Sequence, residues 1–147
     1  MKNLIITLPA CRDLEAISDY FLASSVEAGD RFVKAFEQKC QHLARFPYIG
    51  KSYAQFKPNL RGLLLMDYII FYQVIEDSVE ILRVVNGYQD LKDIIWEIRR
   101  VYFCDRTAAL RDRVAANFTF SNSSYDLIGL MIITVKLSLT KVCEKRG

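Results

Sequence analysis

The stretch from Leu60 to Gly87, LRGLLLMDYIIFYQVIEDSVEILRVVNG, decides the fold. It holds three runs rich in Ile, Val, Leu, Tyr and Phe, at residues 60–66, 68–75 and 79–85. Only short polar connections separate them, near Asp67 and at Glu76-Asp77-Ser78, and the last run ends at Asn86-Gly87. Runs of this composition form strands. Connections so short cannot carry the chain to a parallel neighbour, so the three are expected as an antiparallel meander. Tyr68 and Tyr72 alternate with Ile70 on one face of the middle strand, where both tyrosines are expected in the core.

Upstream, Leu4-Ile5-Ile6-Thr7-Leu8 is a short apolar run that stops at Pro9, which suits a strand buried on both faces. From Asp13 to Ala23, Leu14, Ile17, Tyr20 and Phe21 fall on one side and Asp13, Glu15 and Asp19 mostly on the other, the 3.6-residue period of a helix. Ser24-Ser25-Val26-Glu27 fits a capping box. Behind it Ala28, Phe32, Ala35, Phe36, Cys40, Leu43 and Phe46 recur every three or four residues, predicting a helix with a buried stripe that Pro47 ends. The phenylalanines of that stripe, Phe46 included, are expected in the core, and His42 on the solvent side. Residues 50–59 are turn-rich, and a last helix is expected from Asp90 to about Arg100 with Leu91, Ile94, Ile95 and Ile98 inward. The order strand, helix, helix, three strands, helix predicts an α+β fold: an N-terminal strand and helical hairpin packed on a mainly antiparallel sheet, in two layers.

The chain of 147 residues is 52% hydrophobic and 25% charged, the balance of an ordinary globular domain. Its net charge of +3 is unevenly spread: residues 1–97 hold 11 Lys+Arg against 13 Asp+Glu, and residues 98–147 hold 9 against 4. The folded part, at −2, lacks the footprint of a protein that lives on phosphate backbones. Cys11, Cys40, Cys104 and Cys143 lie far apart, with no C-x-x-C and one histidine in the whole chain, so reduced cysteines are expected and a metal site is not. Five apolar or Thr residues before Pro9 are too few for a secretory leader.

Four words now gain meaning: residues 43–50 (LARFPYIG), Asn59-Leu60-Arg61-Gly62, Tyr68-Ile69-Ile70-Phe71-Tyr72 and residues 81–90 (ILRVVNGYQD). In this order, on these elements, the chain resembles the ParE/RelE toxin superfamily of type II toxin–antitoxin systems over roughly residues 4–97. It is most similar to the ParE (plasmid stabilisation) branch. The resemblance implies a cytoplasmic toxin without a cofactor, neutralised by a co-encoded antitoxin. ParE members poison DNA gyrase, whereas RelE members cleave mRNA in the ribosomal A site.

RNA cleavage needs a base, an acid and cations around the scissile phosphate. In RelE-like enzymes two lysines, two arginines and a tyrosine are thought to supply them. A gap-free register through Tyr72-Gln73-Val74-Ile75 sets the lysine positions on Leu60 and Gly62, the arginine positions on Ile69 and Gln89, and the tyrosine position on Ile95. None of the five residue types is retained. Arg61 is one residue out of register, hence on the opposite strand face unless a bulge intervenes. No catalytic residue is therefore assigned, and a protein target such as gyrase is the expectation. A ribosome-dependent endoribonuclease and a non-toxic, antitoxin-binding homologue are the alternatives.

Arg61 and Arg83 match recurring family arginines. They either bind the target or the antitoxin, or form structural ion pairs with Asp67, Glu80 or Asp90. Tyr88 is either an exposed contact or a lid on the core. Residues 101–147 are expected as a poorly ordered C-terminal extension of read-through character. Within it residues 103–116 suit a weak basic helix, residues 117–126 a Ser/Asn-rich loop, and the nine-residue apolar run 127–135 falls short of the roughly 20 that span a bilayer.

Overall fold

The computed structural model describes residues 2–103 and 116–118. In chain order the elements are β1 (Asn3–Ile6), α1 (Leu8–Ser24), α2 (Val26–Arg45), β2 (Lys51–Ser52), β3 (Leu60–Leu65), β4 (Tyr68–Ile75), β5 (Ser78–Asn86), α3 (Leu91–Phe103) and β6 (Ala116–Phe118). The sheet runs β2-β3-β4-β5-β1-β6. The expected meander is β3-β4-β5, paired antiparallel throughout, with two-residue turns at Met66-Asp67 and Glu76-Asp77. β1 joins it parallel to β5, and β6 pairs antiparallel with the far side of β1. β6 starts a residue before the stretch read as a loop; the rest of the expected C-terminal extension, residues 104–115 and 119–147, lies outside the described residues.

α1 starts earlier than its polar pattern suggests. Pro9, read as the end of the strand, sits in the first turn of the helix, where a missing N–H costs nothing. Ser25 caps α2 by accepting from the Ala28 N–H at 3.3 Å, while the Ser24 hydroxyl donates to the Tyr20 carbonyl. The capping box thus has the wrong serine, and Glu27 stands one position too early to close it. Phe32, Phe36, Cys40 and Leu43 are buried as the periodicity predicts, each large one adding about 2–3 kcal/mol by burial. Phe46 is not: α2 ends at Arg45, and the ring is 56% exposed, edge-on to the solvent-facing His42.

Two cores flank the sheet instead of one. On one face Leu14, Ile17, Phe32, Phe36 and Leu43 close over Leu65, Ile70, Tyr72, Val79, Ile81 and Val84. On the other, Ile94, Ile95 and Ile98 of α3 cover Leu60, Phe71, Leu82 and Val85. The two-layer expectation is corrected accordingly, because α3 crosses behind the sheet. A β-bulge sets which residues of β5 meet each core. Phe71 pairs with Arg83 and Tyr72 with Ile81, leaving Leu82 as an extra residue in β5. The strand's parity flips there, so Val79 and Ile81 face the helical hairpin, Leu82 and Val85 face α3, and Val84 returns to the hairpin side.

Candidate functional site

β1 pairs with β5 only as far as Ile81, so among the described residues the rest of β5 has no strand on that side. Residues at the start of α1 close it. The Thr7 N–H and hydroxyl donate to the Ile81 carbonyl, and Asp13 accepts from the Val84 N–H at 3.0 Å. Arg83 emerges at this uncovered margin and reaches helices on both faces. Its Nε lies 2.6 Å from Asp13 Oδ2 on α1, and its Nη1 2.8 Å from Glu97 Oε2 on α3. The Asp13 hydrogen bond holds the guanidinium proton more firmly than usual. Arg83 is therefore ion-paired, with Asp13 and Glu97 in place of the expected Asp67, Glu80 or Asp90.

Arg61 does something different. It stands opposite Tyr72 on the hairpin face, and its Nη1 donates to the carbonyls of Tyr48 (3.1 Å) and Gly50 (2.9 Å). The guanidinium also lies over the Tyr48 ring, 5.1 Å from its centroid. The Gly50 N–H donates to the buried Tyr72 hydroxyl oxygen at 2.9 Å. Burial pushes that phenol upward, against the pull of Gly50 and Arg61, so it stays protonated at neutral pH. Arg61 and Tyr72 together fasten the loop that exposes Phe46, Tyr48 and Ile49.

The register question has a direct answer. β3 pairs with β4 without interruption from Leu60 opposite Gln73 to Leu65 opposite Tyr68, so no bulge restores Arg61 to the face of Leu60 and Gly62. Of the five positions set by the RelE register, Leu60 is buried beneath α3, Ile95 is buried on the inner face of α3, Gly62 is packed under Tyr53, and Ile69 is partly buried. Gln89 alone is exposed, on the loop beside Tyr88, whose ring is 85% exposed and lids nothing. Arg61, Arg83 and Tyr88 serve three separate places. One polar chain escaped the sequence reading: Lys57 Nζ donates to Gln73 Oε1 at 2.6 Å, and Gln73 Nε2 to Glu80 Oε2 at 2.8 Å, all three buried on the α3 side. Nothing in the turn-rich stretch around Lys57 announces it. Among the described residues no group of three or more His, Cys, Asp or Glu is arranged to hold a metal ion, and no helix is long and apolar enough to cross a membrane.

A hairpin of helices lies on one side of the β3-β4-β5 meander and one helix behind it, and the five positions set by the RelE register carry Leu60, Gly62, Ile69, Gln89 and Ile95. A family model described as the ParE toxin of the type II toxin–antitoxin system, parDE, matches residues 4–91. The chain belongs to the ParE toxin family. Toxin ParE3 of Caulobacter vibrioides is 25% identical over 92 residues, which span 62% of this chain and 92% of that protein. Among solved structures, a chain of the chromosomal ParDE TA system from P. aeruginosa shares the fold, with a TM-score of 0.51 and 24% identity over 58% of this chain and 96% of its own.

Proposed function

We propose that this ParE-family toxin acts by binding a protein target, DNA gyrase, in the cytoplasm, and that a cognate antitoxin holds it inactive. The observation that carries the reading is the filling of the RelE positions by Leu60, Gly62, Ile69, Gln89 and Ile95, four of them buried or partly buried. Phosphoryl transfer without a general base, a general acid or a cation at the scissile group has no route to its transition state. Binding by surface complementarity needs none of these. Tyr88 and the loop fastened by Arg61 supply exposed aromatic contacts of the kind that anchor interfaces. Arg83, paired with Asp13 and Glu97, is a structural residue in this reading. A neighbour solved from a ParDE system supports the antitoxin partner.

Expression of the chain in bacteria tests the proposal. Gyrase-trapped double-strand breaks and an SOS response are expected. Cuts at A-site codons of translated mRNA would instead make it a ribosome-dependent nuclease. Unimpaired growth at high expression would make it an antitoxin-binding homologue that has lost toxicity.

A further inference from the structure

The edge of the sheet at β3 is only half covered. β2 pairs two residues, Lys51 opposite Gly62 and Ser52 opposite Arg61, and the Tyr53 N–H then donates to the Leu60 carbonyl at 2.8 Å. Those bonds fix the direction of the main chain. Leu60 turns its N–H and C=O away from β4, and the two-residue repeat of a strand gives Gly62 and Leu64 the same direction. Gly62 meets β2. Leu64 meets no strand among the described residues, and its side chain is 64% exposed.

The gap is built in by residues already described. Continuing the β2 register back by two residues would set Ile49 opposite Leu64. The chain leaves the edge before that, because the Gly50 N–H is held by the Tyr72 hydroxyl and its carbonyl by Arg61. An uncovered N–H and C=O on an edge strand is a template for another strand. Exposed apolar side chains bracket it in the chain: Leu64 itself, Met66 at the turn, and Tyr48 and Ile49 in the departing loop.

Charge selects the occupant. Residues 38–66, which build this edge and loop, hold Lys39, Arg45, Lys51, Lys57 and Arg61 and not one Asp or Glu. Lys57 is turned inward; the other four reach solvent wholly or in part. A second copy of this chain would bring the same cations against themselves. A segment with acidic residues among apolar ones would be drawn in.

We propose that residues 63–65 of β3 receive an extended, acidic and apolar segment of the antitoxin as an added strand, through the main-chain N–H and C=O of Leu64. This rests on the reading that the chain has an antitoxin partner. The test uses the full-length toxin with the purified product of the adjacent reading frame. Leu64→Pro deletes the outward N–H while sparing the ladder to β4, a substitution that edge strands tolerate. It should weaken the complex at least tenfold. Leu64→Thr keeps the main chain and should stay within threefold of the parent, and affinity should fall as salt is raised. Amide exchange at Leu64 should slow at least tenfold in the complex, and that measurement decides the matter if Leu64→Pro fails to fold.

A complex that forms with unchanged Leu64 exchange, or with Leu64→Pro binding within twofold of the parent, overturns the added strand and leaves the antitoxin reading intact. A parent chain that binds nothing from the adjacent frame overturns both. A dimer of the toxin alone that Leu64→Pro dissociates gives the edge to a second copy and also overturns the proposal.

Discussion

A β-carbon built on Gly50 would stand 2.6 Å from the Tyr72 hydroxyl oxygen and 2.8 Å from the Gly62 carbonyl oxygen. Its φ is not in the left-handed region, so the position needs space rather than backbone freedom. Gly50→Ala must push the loop off Tyr72 and Arg61, and should cost about 2–3 kcal/mol in urea denaturation. Met66 is the converse case. It is the first residue of the two-residue turn between β3 and β4, with φ 51°, a conformation usually left to glycine in such turns. Glu76 repeats it between β4 and β5, with φ 47°. Met66→Gly relieves the left-handed strain and forfeits little burial, since the side chain is already 52% exposed. Thermal melting should show it about 0.5–1 kcal/mol more stable than the parent.

Elements are tied across the sheet by one side chain, and the two bonds of Arg83 have unequal weight. Its partner on α1, Asp13, is 18% exposed and also accepts from the Val84 main chain; its partner on α3, Glu97, is 52% exposed. Removing the arginine leaves a largely desolvated carboxylate without its cation, whereas neutralising Glu97 removes only a solvent-screened pair. Arg83→Ala should therefore cost about 2–3 kcal/mol and Glu97→Gln under about 0.5, both read from urea midpoints. A larger loss from Glu97→Gln would mean that α3 docking depends on the ion pair rather than on Ile94, Ile95 and Ile98. The strands of the meander were legible because side-chain parity and polar turns are local properties. The parallel seat of β1 and the passage of α3 behind the sheet were not, being choices among tertiary arrangements with the same local pattern. The bulge at Leu82 was hidden by composition: Ile81 and Leu82, the residues at the slip, are both apolar and serve either face. At the site, the residues standing at the five RelE-register positions could be read from residue identity, while the clamp of Arg61 could not. Its acceptors are main-chain carbonyls, which leave no trace in side-chain pattern.

At the scale of the whole molecule, α1 and α2 each commit a cysteine to the same core, and the pair reports whether that core is closed. Cys11 and Cys40 are both free thiols and both about 1% exposed. Burial pushes the Cys11 thiol from the ordinary 9.0 up to about 11, with Glu15 adding to it, and burial pushes Cys40 up as well, with Glu37 adding. Thiolate is the reactive form, so neither should react with iodoacetamide at pH 8 except through unfolding. The pH dependence has a definite sign. Above pH 9 the unfolded chain releases the Cys11 proton while the folded chain still holds it, so ionisation favours the unfolded state. The stability present below pH 9 is lost as pH rises through the folded value near 11, by about 2–3 kcal/mol for Cys11 alone. Cys40 acts in the same direction. In a Cys104→Ser, Cys143→Ser background, urea midpoints should fall between pH 9 and pH 11, and Cys11→Ala should remove the Cys11 share of that slope although it lowers stability at pH 7. A slope unchanged by Cys11→Ala would place the alkaline loss elsewhere, and rapid labelling of either thiol at pH 8 would mean that the hairpin opens from the sheet without global unfolding.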